Sequence, residues 1–291
     1  MDSYFNQYRM MLSLRGLTDH TIKSYSTYIR AYLDYLQSVL HQKPEDVSWD
    51  EMRAFIEWLK DTRDLSDRTI NTAISQLRFF HIYVLHQYWD PTQLPFRKFD
   101  TYLPFVPSRD MILEFLSSIT DLKFRSIIAL MYSSGLRSGE ARTLHYEDIS
   151  RTQMTIHIRS TKSRSDRYAI LSRNALDTLT EYWFTCGRPK DLLFPSNKHR
   201  NGKVVPVSSQ YLSSRIRAQE ALLGWPHRLT AHSFRHAFAT HLYENGTDIF
   251  QIKELMGHRS LNSTAIYIHL ANPSRRNIKS PLDEIGGGLH E

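Results

Sequence analysis

The chain has 291 residues, 41% hydrophobic and 23% charged, with a net charge of +7 and one cysteine, Cys186. The single thiol excludes an internal disulfide framework or a multi-cysteine zinc site, and the longest apolar candidate, Ser126 to Tyr132, falls far short of the ~20 residues of a membrane helix. With no basic-then-apolar leader at Met1-Asp2-Ser3-Tyr4, a cytoplasmic protein of one large or two ordinary domains is expected.

The first ninety residues read as a compact module of four or five helices. Thr18 or Asp19 caps the first clear pattern, in which Ile22, Tyr25, Ile29, Tyr32, Leu33 and Leu36 recur at helical spacing. A second helix opens at Trp49-Asp50-Glu51, with Asp50 as its expected cap, and runs to about Leu59. A third opens at Asp64-Leu65-Ser66-Asp67 and carries Ile70, Ala73, Ile74, Leu77 and Phe80 toward Leu85. Prolines 91, 95, 104 and 107 then disfavour helix in the residues before them and mark an extended linker. The chain is accordingly divided into residues 1–98 and 99–291.

Helices are expected next at about 108–118 and 122–134. Two β-rich runs follow, Met154–Arg159 and Arg167–Leu171, joined by a polar hairpin connection. After a helix near 173–185, the Gly-, Lys- and Pro-containing stretch 195–206 reads as a loop. Helices at about 208–222, 232–244, 247–256 and 261–270 complete the core. The tail from Asn272 holds Pro273, Pro281 and Gly286-Gly287-Gly288, and its end is expected to be mobile until it finds a partner. Charge is uneven between the halves: residues 1–97 hold 11 Lys/Arg and 12 Asp/Glu, whereas residues 98–291 hold 26 and 18. A basic second half suits a phosphate backbone, whose neutralisation releases counterions.

The residues that carry chemistry fall in that half. Gly135-Leu136-Arg137-Ser138-Gly139-Glu140 sets Arg137 at a helix end, and Lys162 sits in the charged hairpin turn Thr161-Lys162-Ser163-Arg164. In Ala231-His232-Ser233-Phe234-Arg235-His236, His232 and Arg235 are three apart and share one helix face. Gly257 suits a left-handed stop that turns His258 away from the preceding helix, and Tyr267 is placed about two and a half turns into the next one. Two guanidiniums from distant segments can clamp one phosphate bidentately. A phenol, with a reference pKa of about 10, becomes a nucleophile only with a base or a cationic pocket beside it.

Arg137, Lys162, the His232/Arg235 pair, His258 and Tyr267 resemble, in order, spacing and local sequence, the tyrosine recombinase family (phage integrase, Xer-like). The resemblance covers roughly 101–285 and extends loosely into the first half through Thr21, Tyr25 and Thr69-Ile70-Asn71. It implies a mainly α fold with a small β-sheet: an N-terminal helical core-binding domain and a C-terminal catalytic domain, closing as a C-shaped clamp on DNA. It implies that Arg137 and Arg235 bind the scissile phosphate, Lys162 protonates the leaving 5′ oxygen and His232 assists proton transfer. His258 hydrogen-bonds the phosphate, Glu140 orients the Arg137 region, and Tyr267 forms a 3′-phosphotyrosyl link. The hairpin lacks the glycines that usually surround the family's lysine, which keeps Arg164 as an alternative to Lys162. No cofactor or metal is required. His232 and His236 have zinc-like spacing, but no Glu stands beside the first and no third ligand is evident.

The expected partners are double-stranded DNA with specific inverted-repeat sites and further copies of the chain in a synaptic tetramer. A mobile-element integrase is the first reading and a chromosome-dimer resolvase the second. A type IB topoisomerase-like strand transferase, or a catalytically silent DNA-binding regulator, would share parts of this pattern.

Overall fold

The computed structural model describes residues 1–100, 102–159, 166–200 and 202–271. Lys162, Arg164 and the tail from Asn272 lie outside the described residues. The chain separates into two units, Met1–Tyr102 and one that begins at Leu103.

In the first unit five α-helices enclose one core. They are α1 (Asp2–Leu14), α2 (Asp19–Tyr25), α3 (Thr27–Tyr35), α4 (Trp49–Arg63) and α5 (Asp67–Tyr83). The core is lined by Tyr8, Leu12, Ile29, Leu33, Phe55, Leu59, Ile70 and Phe80. Helix α1 was not distinguished in the sequence, although Tyr8 and Leu12, four apart, provide its buried face. The stripe from Ile22 to Leu36 is interrupted at Ser26, whose hydroxyl donates to the Ile22 carbonyl at 2.6 Å. Buried Gln76 of α5 spans the break, accepting from the Tyr28 amide (3.0 Å) and donating to the Ser24 carbonyl (3.2 Å). The cap of α4 is Ser48 rather than Asp50. Its hydroxyl accepts from the Glu51 amide while the Glu51 carboxylate accepts from the Ser48 amide, which satisfies two end donors where Asp50 would satisfy one.

The second unit is built around α7 (Leu122–Ser134), which buries Ile127, Ile128, Leu130 and Met131. It packs against α9 (Arg173–Thr185) and α11 (Ala231–Glu244). Helix α6 (Arg109–Ser118) and α10 (Ser209–Leu223) cover its flanks, and α8 (Ser138–Arg142) is a single short turn. An antiparallel sheet of β1 (Ile149–Ser150), β2 (Thr155–Ile158) and β3 (Arg167–Ile170) pairs Ile156 with Ala169 and Ile158 with Arg167. Residues 195–206 are not the expected loop. They form a second hairpin, β4 (Pro195–Arg200) and β5 (Lys203–Pro206), with Gly202 at positive φ near its turn. The polar sequence of β4 hid it, because its strand pairing comes from backbone bonds rather than from an alternating apolar face.

Helices α12 (Ile249–Met256) and α13 (Asn262–Leu270) complete the unit. They meet α11 around a small cluster of Phe238, Ile252, Met256 and Tyr267. No described helix is long and apolar enough to cross a membrane.

Candidate active site

Two glycine stops help bring Arg137, Arg235, His258 and Tyr267 together. Gly135 follows α7 at φ +62°, and an added Cβ there would meet the Phe238 ring and Met256 Sδ, so the α7 end can approach α11 and α12 closely only as glycine. Its carbonyl is thereby presented to Arg235 of α11. Gly257, at φ +60°, ends α12 and turns His258 inward as the sequence predicts. Tyr267 is the sixth residue of α13, about one and a half turns in rather than two and a half.

Arg235 is buried, and its two terminal nitrogens reach two helix-end carbonyls and one ring nitrogen. One amino group donates to the Gly135 carbonyl; the other donates to the Met256 carbonyl (2.5 Å) and to His258 Nε2 (3.1 Å). Carbonyls at the ends of α7 and α12 carry the negative pole of their helices, which compensates the burial. Burial and the nearby Arg137 charge pull the Arg235 pKa down to about 10, so the group stays cationic at neutral pH.

Arg137 caps α8 and remains partly open, with 31% of its side chain exposed. It donates to Glu140 Oε1 at 2.8 Å and to the Gly257 carbonyl at 3.2 Å. Glu140, 4% exposed, also accepts from the Arg137 amide, and it lies 3.9 Å from Arg235. The expected orienting carboxylate is therefore in contact with both arginines. Burial pushes the Glu140 pKa up, but hydrogen bonds and charge from Arg167, with those from Arg137, outweigh it and hold the carboxyl at about 2.

Because its folded pKa lies below the ordinary 4.5, Glu140 stabilises the protein above that pH, and the stabilisation is lost as pH falls toward 2. The shift corresponds to roughly 3 kcal/mol, of which about 2 kcal/mol disappears between pH 5 and pH 3. Glu140→Gln is therefore expected to be less stable than the unsubstituted protein at pH 7 but to lose stability less steeply in acid. Urea denaturation at several pH values checks this, and parallel acid limbs for the two proteins would contradict it.

His258 is half-buried and Arg235 can only donate to it. Nε2 is therefore the acceptor, and the ring proton resides on Nδ1, which faces Thr264 Oγ1 at 2.9 Å. Burial first, then the charges of Arg235 and Arg137, lower its pKa to about 4 and keep it neutral. The Tyr267 ring stacks beside it, with centroids 6.3 Å apart and planes 13° apart.

Tyr267 is 2% exposed. Burial raises its pKa to about 12, and the Arg235 and Arg137 charges act against that rise. The phenol is thus buried but not remote from the two guanidiniums. His236 lies 5.8 Å from Tyr267 between ring centroids, and burial followed by the His232 charge lowers its pKa to about 4. His232 is an exposed residue in the first turn of α11, with its ring 6.3 Å from that of His236. Among the described residues no group of three His, Cys, Asp or Glu side chains is placed to hold a metal.

The sequence reading missed two residues in this cluster. Arg167 grips both Glu140 oxygens, at 2.9 and 2.8 Å. Alternation in β3 was the available signal: Ala169 faces the core while Tyr168 and Ile170 face out, so Arg167 brings a charge to an inward position. Thr264 is fully buried one turn before Tyr267, and it was hidden because a lone threonine in a helix has no distinctive spacing.

Residues 109–273 match the model of the phage integrase family, and residues 4–91 match that of the N-terminal SAM-like domain of phage integrases. The integrase/recombinase y4qK of Sinorhizobium fredii is 32% identical over 279 residues, covering 94% of this chain and 88% of that protein. Among solved structures, the XerH site-specific recombinase bound to palindromic difH substrate aligns with a TM-score of 0.70 at 21% identity, over 95% of this chain and 82% of that one. The Tn1549 transposon integrase in complex with transposon right end DNA also aligns with a TM-score of 0.70, at 17% identity over 97% of each chain. The mainly helical two-part fold is that of these enzymes, and the chain belongs to the phage integrase family of tyrosine recombinases.

Proposed function

We propose that this chain breaks and rejoins double-stranded DNA at specific inverted-repeat sites through a covalent 3′-phosphotyrosyl bond at Tyr267. The observation that carries the reading is the convergence of Arg137, Arg235, His258 and Tyr267, drawn from four separate segments, around one carboxylate-braced pocket. In this reading the two guanidiniums neutralise the non-bridging oxygens of the scissile phosphate. A preorganised cationic pocket of this kind stabilises the charge that develops during transfer. Tyr267 attacks phosphorus, the bond to the 5′ oxygen breaks, and that oxygen takes a proton from Lys162, with Arg164 as the alternative donor. His232 takes part in the transfer of the phenol proton, and His258 donates a ring N–H to the phosphate, which requires the ring to exchange its Thr264 or Arg235 contact for the phosphate oxygen. The phosphotyrosyl ester retains the energy for rejoining, so the reaction needs no nucleotide and no metal.

The phenol must leave its packing against His258 and His236 to meet a phosphate, so cleavage includes a shift of α13. The domains, assigned as 1–98 and 99–291, each contact the duplex. Four copies on two sites exchange strands in the cytoplasm, with the tail beyond residue 271 docking between neighbours. Mobile-element integration is the favoured role, and chromosome-dimer resolution by the same chemistry is the second reading.

The test is covalent capture on a nicked duplex that carries the inverted repeat flanking the chain's own gene. A protein–DNA adduct joined at the 3′ phosphate, and strand exchange between two such sites, are expected. Binding without any adduct would favour a silent regulator. Relaxation of supercoiled DNA at arbitrary sequences with no joining of two sites would favour a topoisomerase.

A further inference from the structure

We infer that Arg167 is a positioning residue of the recombination reaction: it holds the Glu140 carboxylate and the Gly257 turn so that Arg137, Arg235 and His258 are set around one phosphate. The inference rests on the reading of that pocket as the phosphodiester site and assigns it a residue outside the expected set.

Three contacts carry it. Both terminal nitrogens of Arg167 bind the two oxygens of Glu140 in a parallel fork, at 2.9 and 2.8 Å. Its Nε donates to the Leu255 carbonyl at 3.3 Å, near the end of α12. Its stem lies against Gly257, where an added Cβ would stand 2.8 Å from Arg167 Cδ. The side chain is 12% exposed and starts from β3, directly across from Ile158 of β2. One side chain thus joins the sheet, the α8 turn and the residue before His258.

The charge arrangement explains what this does. Glu140 is a single carboxylate among Arg137, Arg167 and Arg235. Among the described residues, Arg167 supplies two of the four hydrogen bonds to its carboxylate, beside the Arg137 amide, one side-chain bond to Arg137 and a 3.9 Å approach to Arg235. Without Arg167, the buried carboxylate would draw those two guanidiniums onto itself and away from a bound phosphate. Outer partners that orient the groups in direct contact with a reacting centre typically contribute 10–100-fold to their function.

The test compares Arg167→Gln and Arg167→Lys with the unsubstituted protein on the nicked duplex described above. One duplex carries the ordinary scissile phosphate and the other a methylphosphonate, which has no negative charge there and depends less on the two arginines. Arg167→Gln is expected to slow adduct formation about 100-fold at saturating protein, with duplex affinity within about threefold. Arg167→Lys keeps the charge and the fold but not the planar fork, and should recover no more than about a tenth of the rate. On the methylphosphonate the deficit of Arg167→Gln should shrink to less than about tenfold. An Arg167→Gln rate within about threefold of the unsubstituted protein overturns the inference. So does an equal deficit on both duplexes, which is what general loosening of the fold would produce. If the unsubstituted protein forms no adduct at all, the recombinase reading of the pocket fails first, and the inference with it.

Discussion

Tyr267→Phe should abolish the covalent protein–DNA adduct while leaving duplex binding unchanged. The phenolic oxygen is the atom proposed to attack phosphorus, and phenylalanine keeps the ring stacked beside His258 and against His236 but removes that atom. The loss is expected to be at least about 10⁴-fold, because no other group in the pocket replaces a covalent nucleophile. Stability should change by no more than about 1 kcal/mol, the usual scale for one hydroxyl. Denaturing gel electrophoresis of the nicked-duplex reaction reads the adduct, and a mobility-shift titration reads the binding. Adduct formation at an undiminished rate by Tyr267→Phe would place the nucleophile elsewhere and dissolve the proposed mechanism.

Arg235→Lys should combine the second-largest loss of activity with a measurable loss of stability. The guanidinium meets the Gly135 carbonyl, the Met256 carbonyl and His258 Nε2 at once, from a buried position. An ammonium is a compact point charge without the planar fork, so at least one helix-end carbonyl and the His258 nitrogen lose their donor. Adduct formation is expected to fall about 10³-fold, the scale for removing one preorganised donor from a charged transition state. Unfolding free energy should fall by about 2 kcal/mol, reflecting buried acceptors left unsatisfied. Arg235→Ala should be worse on the second measure, by about 3–5 kcal/mol, because it leaves Glu140 short of a nearby countercharge as well. Chemical denaturation and single-turnover cleavage separate the two effects. An Arg235→Lys protein of unchanged rate would remove Arg235 from the proposed phosphate clamp.

Both substitutions act on groups whose importance lies in company rather than identity. His258 illustrates this: its tautomer follows from Arg235 on one side and Thr264 on the other, and neither partner is adjacent to it in sequence. Glu140 is similar, since its low pKa depends on Arg167, 27 residues away along the chain.

The amino-acid sequence by itself determined the helical character of the first unit, the hairpin of β2 and β3, the glycine stop before His258 and the family to which the chain belongs. These are encoded locally, by apolar spacing, by a glycine at positive φ, or by a motif read as a string. Helix α1, the Ser48 cap and the hairpin of β4 and β5 were less legible, because each depends on backbone hydrogen bonds or a packing partner that composition does not reveal. Only the tertiary structure decided that Arg167 and Thr264 join the pocket, that Arg235 points at two helix ends, and that Tyr267 is buried beside neutral His258. The physical reason is that hydrogen-bond partners and local dielectric are properties of a place in space. The chain assembles that place from α7, α8, β3, α11, α12 and α13 only when it folds.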